Sequence, residues 1–106
     1  MAYVYQVGFD IRPDQMNELE IGASLERVLG YLRALLPSQS GFMSARAMYS
    51  LDMSDRTHLI FQSVWKDWDN LDEHRRSSLS EDKVLLEFQP HVALKDLVAH
   101  VYEEVD

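Results

Sequence analysis

The stretch T-H-L-I-F-Q-S-V-W-K-D-W-D-N-L-D-E-H-R-R, Thr57 to Arg76, changes its hydrophobic period halfway along. Up to Trp65 it alternates, so Leu59, Phe61, Ser63 and Trp65 share one face of a strand and His58, Ile60, Gln62 and Val64 the other. Asp67 then reads as a helix cap, and Trp68, Leu71, His74 and Arg75 follow at the three- and four-residue spacings of one helical side. A strand that feeds directly into a helix sets the unit from which the rest of the chain is read.

Upstream, the polar run D-M-S-D-R makes a hairpin loop, and Phe42 to about Leu51 alternates as its other strand. Met43, Ala45, Ala47, Tyr49 and Leu51 fall on one side of it, with Phe42, Ser44, Arg46, Met48 and Ser50 on the other. Further back, Tyr3, Tyr5, Val7, Phe9 and Ile11 share one face of a first strand that Pro13 ends. The acidic segment Asp14 to Glu20 reads as a connection, and Ser24 as the N-cap of a helix carrying Leu25, Val28, Leu29, Leu32, Leu35 and Leu36. Pro37 stops that helix, and S-Q-S-G turns the chain. Downstream, Ser80 starts another helical piece with Glu81 and Asp82 in its first turn and Val84, Leu85 and Phe88 as apolar contacts. Pro90 closes it, and about Leu94 to Val105 reads as the last strand.

The order β-α-β-β-α-β predicts an α+β domain over residues 1–106, a ferredoxin-like four-stranded antiparallel sheet with helices on one face. The uncovered face should be polar, yet it receives Val4, Phe42, Met48, Ile60, Val64, Val98 and Tyr102. At about 25 cal/mol per Å² of apolar surface, covering it would contribute many kcal/mol, so the face is expected to pack on a second copy as a homodimer. Arg46, with Gln6, Gln62 and His100, would lie inside that interface, where an acid from the neighbouring subunit is the natural partner and registry the expected role.

Composition narrows the function classes. The chain has 106 residues, no Cys, and 10 Lys plus Arg against 18 Asp plus Glu, for a net charge of −8. A nucleic-acid or anionic-membrane partner needs a dense basic face, so neither is expected. Without Cys there is no thiolate chemistry and no Cys-type zinc site, and the four His show no ligand spacing, so no metal is expected. Most acids lie at helix starts, connections and the tail, as on a solvated surface. The N-terminus reads as a strand, not a signal peptide, and no apolar run reaches the roughly 20 residues that span a bilayer. The expected location is cytoplasmic.

V-W-K-D-W-D-N-L-D-E-H-R-R-S, Val64 to Ser77, with its strand ending in Trp, acidic connection and helix bearing Leu and His, resembles the antibiotic-biosynthesis-monooxygenase-like family of dimeric α+β barrels. P-S-Q-S-G-F, Pro37 to Phe42, resembles the Pro/Gly turn that opens that family's second strand. In element order the resemblance covers nearly the whole chain. It implies a dimer and a cofactor-independent monooxygenase that joins a small aromatic or phenolic substrate to dioxygen in a pocket between sheet and helices, with no metal or flavin. Heme-degrading relatives place an Asn on the first strand, whereas the Asn residues here are Asn17 and Asn70, which disfavours that activity.

Such chemistry needs a base, polar groups to hold a phenolate, and aromatics that exclude water. His74 is the first candidate for the base, because imidazole titrates near neutrality, and Tyr49 the second catalytic candidate, as a donor to a substrate oxygen. Tyr5, Phe9, Phe61, Ser63 and Trp65 would line the substrate pocket. Against this stands a purely structural interpretation, in which His74 satisfies a backbone carbonyl, Tyr49 is a half-buried strand tyrosine and the aromatics are core. The alternative function is then a noncatalytic dimeric barrel that binds a small hydrophobic ligand or serves as an assembly module.

Overall fold

In the computed structural model, which describes residues 1–105, the strands are β1 (Tyr3–Ile11), β2 (Phe42–Tyr49), β3 (Thr57–Trp65) and β4 (Val98–Glu103). The helices are α1 (Glu18–Leu35), α2 (Trp68–Ser77) and α3 (Leu79–Phe88), with short 3-10 turns at Leu36–Ser38 and Leu94–Asp96. All strand pairings are antiparallel and the spatial order is β2-β3-β1-β4, so the two long hydrophobic strands occupy the centre. This is the ferredoxin-like plan that the alternation predicts, with the second helix divided in two. No helix among the described residues is long and apolar enough to cross a membrane.

One face of the sheet holds the core. Tyr5, Val7, Phe9 and Ile11 from β1 and Leu59, Phe61, Ser63 and Trp65 from β3 are buried beneath Val28 and Leu32 of α1, Leu71 and His74 of α2, and Val84 and Phe88 of α3. Phe88 sets its edge against Phe9, with centroids 5.0 Å apart, and also meets Phe61 at 6.5 Å. These contacts tie the C-terminal end of α3 to the middle of the sheet.

Three boundaries and one strand register differ from the sequence expectation. Helix α1 starts at Glu18, six residues before Ser24: Asn17 accepts from the Glu20 amide at 2.8 Å while the Glu20 carboxylate accepts from the Asn17 amide, a reciprocal capping box. Ser24 is buried inside the helix. A register shift between Phe42 and Ser44 bulges β2, pairs Phe42 with Trp65 and turns its ring onto the core face, with centroids 5.6 Å apart, where strict alternation puts it on the open face. Helix α3 starts at Leu79 because Ser78 takes a left-handed conformation (φ 56°) that ends α2 and redirects the chain. Finally, Leu94–Asp96 forms a 3-10 turn, which shortens the last strand to Val98–Glu103.

The opposite face carries no helix. Val4, Ile60 and Val64 are half-buried there, and Met48, Val98 and Tyr102 are exposed. An uncovered apolar sheet face is what the alternation predicts, apart from the displaced Phe42.

Candidate functional site

Polar side chains gather at one end of the otherwise apolar core, where β1 and β3 pass under the junction of α2 and α3. His74 sits one turn after Leu71 on the buried side of α2 and is 1% exposed. Its ring lies against the Trp65 indole, with centroids 4.6 Å apart and planes 25° from parallel, and presents an edge to Tyr5 at 5.5 Å. Nδ1 is 3.1 Å from Gln39 Oε1, and Nε2 is 3.0 Å from Ser80 Oγ. With the Gln39 oxygen accepting, Nδ1 carries the proton and Nε2 accepts from the Ser80 hydroxyl, the pattern of a neutral imidazole. Burial disfavours the imidazolium and pushes the His74 pKa down to about 4, so the ring is uncharged at neutral pH.

Tyr5 approaches the same cluster from β1. Its hydroxyl donates to Glu81 Oε1, in the first turn of α3. Burial first, then the hydrogen bond and the charge of Glu81, hold the phenol far above its ordinary pKa, so Tyr5 stays a proton donor. The other carboxylate oxygen, Glu81 Oε2, is buried and has no hydrogen-bond partner among the described residues. A buried polar atom left without a partner costs about 1–3 kcal/mol, and such an atom in a native fold calls for an explanation. Trp65 completes the cluster by donating from Nε1 to Ser63 Oγ at 2.9 Å.

A cleft of about 260 Å³ is lined by Ser38, Gln39, Ser40, Asn70, Glu73 and Ser77, and Gln39 links it to His74. Gly41, at φ 81°, shapes this edge: a Cβ there would run into the Asn70 side chain, so glycine serves both the backbone turn and the fit of Asn70.

Of the residues singled out from sequence, His74, Tyr5, Trp65 and Ser63 come together here. Phe9 and Phe61 lie further along the strands in the Phe88 cluster. Tyr49 is elsewhere. It pairs with Leu59, whereas Tyr5 pairs with Ser63, four residues on and thus about 13 Å along the strand at about 3.3 Å per residue. Tyr49 is 39% exposed and borders a separate groove of about 270 Å³ between α1 and β2, with Gly22, Leu25, Glu26, Leu29 and Ala47. Sequence reasoning missed Glu81, Gln39 and Ser80. The spacing Ser80, Val84, Phe88 signals that Ser80 faces inward, while Gln39 lies in a turn, where no periodicity operates. Among the described residues, no three His, Asp or Glu are grouped so as to hold a metal ion.

No protein-family model matches the sequence, and comparison with curated proteins finds no match. Solved structures do share the fold. A Bacillus cereus protein described as a candidate antibiotic-biosynthesis monooxygenase aligns over 97% of this chain and 90% of its own, with 13% identity and a TM-score of 0.67. SnoaB, a cofactor-independent oxygenase from Streptomyces nogalater, solved as a mutant, aligns over 99% of this chain and 94% of its own, with 12% identity and a TM-score of 0.59. A dimeric ferredoxin-like protein of unknown function from Jannaschia sp. aligns over 96% of this chain and 99% of its own, with 14% identity and a TM-score of 0.61. At such identities the likeness establishes architecture alone: the chain has the ferredoxin-like α+β fold found in monooxygenase-like proteins and in dimeric proteins of undefined activity.

Proposed function

We propose that the chain is a homodimeric, cofactor-independent monooxygenase acting on a small aromatic or phenolic compound, with its chemistry at the Tyr5, His74 and Glu81 cluster. The observation that carries this reading is the buried Glu81 Oε2, unpartnered beside a protonated Tyr5. Glu81 removes the acidic substrate proton, Tyr5 and the neutral His74 offer hydrogen bonds to the resulting oxyanion, and the Trp65 indole beside them excludes water. For a substrate methylene flanked by aromatic rings, two C–H bonds break and one oxygen atom becomes the carbonyl. The other oxygen leaves as water with both hydrogens, so the substrate supplies all the electrons. Substrate enters through the Ser38–Ser40 side and displaces Gln39 from His74. Tyr49 takes no part.

Oxygen uptake with anthrone tests the assignment. Glu81→Gln keeps the shape and the Tyr5 contact but removes the base, and turnover is expected to fall about 10²-fold or more. Turnover equal to wild type would remove Glu81 from the mechanism. A second reading, a noncatalytic barrel, is favoured by the hydrogen bonds that satisfy both ring nitrogens of His74. Absence of any oxygen uptake across anthrones and hydroquinones would select it.

The uncovered face, and the fold shared with a dimeric protein, support the homodimer in this proposal. Sedimentation at low micromolar concentration is expected to give a mass near twice 12.3 kDa. A species at the single-chain mass would count against it.

A further inference from the structure

The open face of the sheet is largely apolar, but a polar row crosses its middle and Asp10 pairs with His58 at its far end. Arg46 on β2, Gln62 on β3, Gln6 on β1 and His100 on β4 stand opposite one another across all four strands. Arg46 Nε donates to Gln62 Oε1 at 2.7 Å, and Gln62 Nε2 donates to Gln6 Oε1 at 2.8 Å. The hydrogen bonds therefore all run one way. Both glutamine oxygens serve as acceptors within the row, while the terminal N–H groups of Arg46 and the amide N–H groups of Gln6 have no partner among the described residues. What the row presents outward is a set of donors carrying a positive charge.

Arg46, Gln62 and Gln6 of this row border a depression of about 310 Å³ whose other walls are Val4 and Tyr102. In a chain of net charge −8, the place is unusual for what it lacks. Asp10 is the only carboxylate among the strand residues of this face, and it lies at the far end, 2.7 Å from His58 Nδ1 and 3.9 Å from Arg56 Nε. An isologous interface brings the same patch of both copies together, so a second copy's strands offer Arg46 no free carboxylate in return. An arginine enclosed without an anion is costly, and its planar fork matches a carboxylate in two parallel hydrogen bonds.

We propose that this depression binds a small organic carboxylate, its anionic group on Arg46 and Gln6 and its apolar body against Val4 and Tyr102, and that the dimer encloses it. The lining residues all belong to one chain; the enclosure, and with it the cost of leaving Arg46 without an anion, rests on the dimer reading. The site lies on the opposite side of the sheet from the Tyr5, His74 and Glu81 cluster.

Benzoate and its neutral isostere benzamide test this by titration of backbone amide shifts, with sedimentation on the same samples. Benzoate is expected to shift the amides of Val4, Gln6, Gln62 and Tyr102 saturably, with benzamide at least tenfold weaker. Arg46→Gln, an exposed strand position, is expected to weaken benzoate at least tenfold, whereas Glu81→Gln leaves it unchanged. Equal binding of the two probes, equal binding by Arg46→Gln, or no saturable benzoate shift would overturn the site. Exposed acids after β4 in a second copy, if they occupied Arg46, would produce that last result. A dimer indifferent to benzoate removes the site and leaves the dimer, and a monomer that binds benzoate does the reverse.

Discussion

Trp65→Ala is expected to lower the unfolding free energy by about 3–5 kcal/mol, the range for deleting a fully buried large aromatic. Trp65 is 0% exposed and is the largest side chain at the polar end of the core. Its indole fills the space between Phe42, which the bulge in β2 turns inward, and the His74 ring. Removing it leaves a cavity bounded by the sheet below and α2 above, and strips Ser63 Oγ of its donor. Trp65→Phe reduces the first of these effects. It keeps most of the volume, losing the hydrogen bond and part of the ring, for an expected cost of about 1–3 kcal/mol. Urea unfolding of the three proteins gives the comparison directly. Because the indole also shields His74 from water, the alanine variant is expected to raise the His74 pKa from about 4 toward its ordinary 6.5, read by the titration of its ring proton shifts. A loss of less than about 1 kcal/mol in Trp65→Ala would show that the neighbouring rings collapse into the space.

Much of this arrangement is legible in the sequence because alternation is a strong signal. Tyr5, Val7, Phe9 and Ile11, and Leu59, Phe61, Ser63 and Trp65, declare the core face of the two central strands without reference to any other element. The open apolar face is legible for the same reason. What escapes is local and geometric. The bulge at Phe42 and Ser44 changes which side one ring occupies without changing the pattern of residues, and an acidic run hides the helix start at Asn17, so that Ser24 reads as the cap instead. At the candidate site, His74 is legible from its three-residue spacing after Leu71, which places both on the buried side of α2. Glu81 is not, because an acid in the first turn of a helix already has a general explanation in the helix dipole. Only the left-handed turn at Ser78, which no glycine announces, swings α3 so that this acid reaches Tyr5 on the first strand.

Lowering the pH from 7 to 4.5 is expected to remove about 2–3 kcal/mol of stability through His74 alone. The folded protein holds the ring neutral, with a pKa of about 4, whereas an unfolded histidine titrates at 6.5. Below 6.5 the unfolded chain therefore binds a proton that the folded chain refuses, and stability falls as the pH falls. The contribution is fully present above pH 6.5, declines by about 1.4 kcal/mol per pH unit through the middle of the window, and is exhausted once the pH passes below about 4, where the folded ring also protonates. Carboxylates titrate near the bottom of the same range, so the measurement must be a difference. His74→Gln cannot ionise but can still bond to both Gln39 and Ser80, and it carries every acid of the wild type. Denaturant unfolding of both proteins at several pH values is expected to show the wild type losing its advantage steadily between pH 6.5 and 4.5. A difference that stays constant across that window would mean that His74 protonates as readily in the fold as outside it. The imidazole would then be hydrated, and the close contact between Trp65, His74 and Tyr5 would have to open in solution.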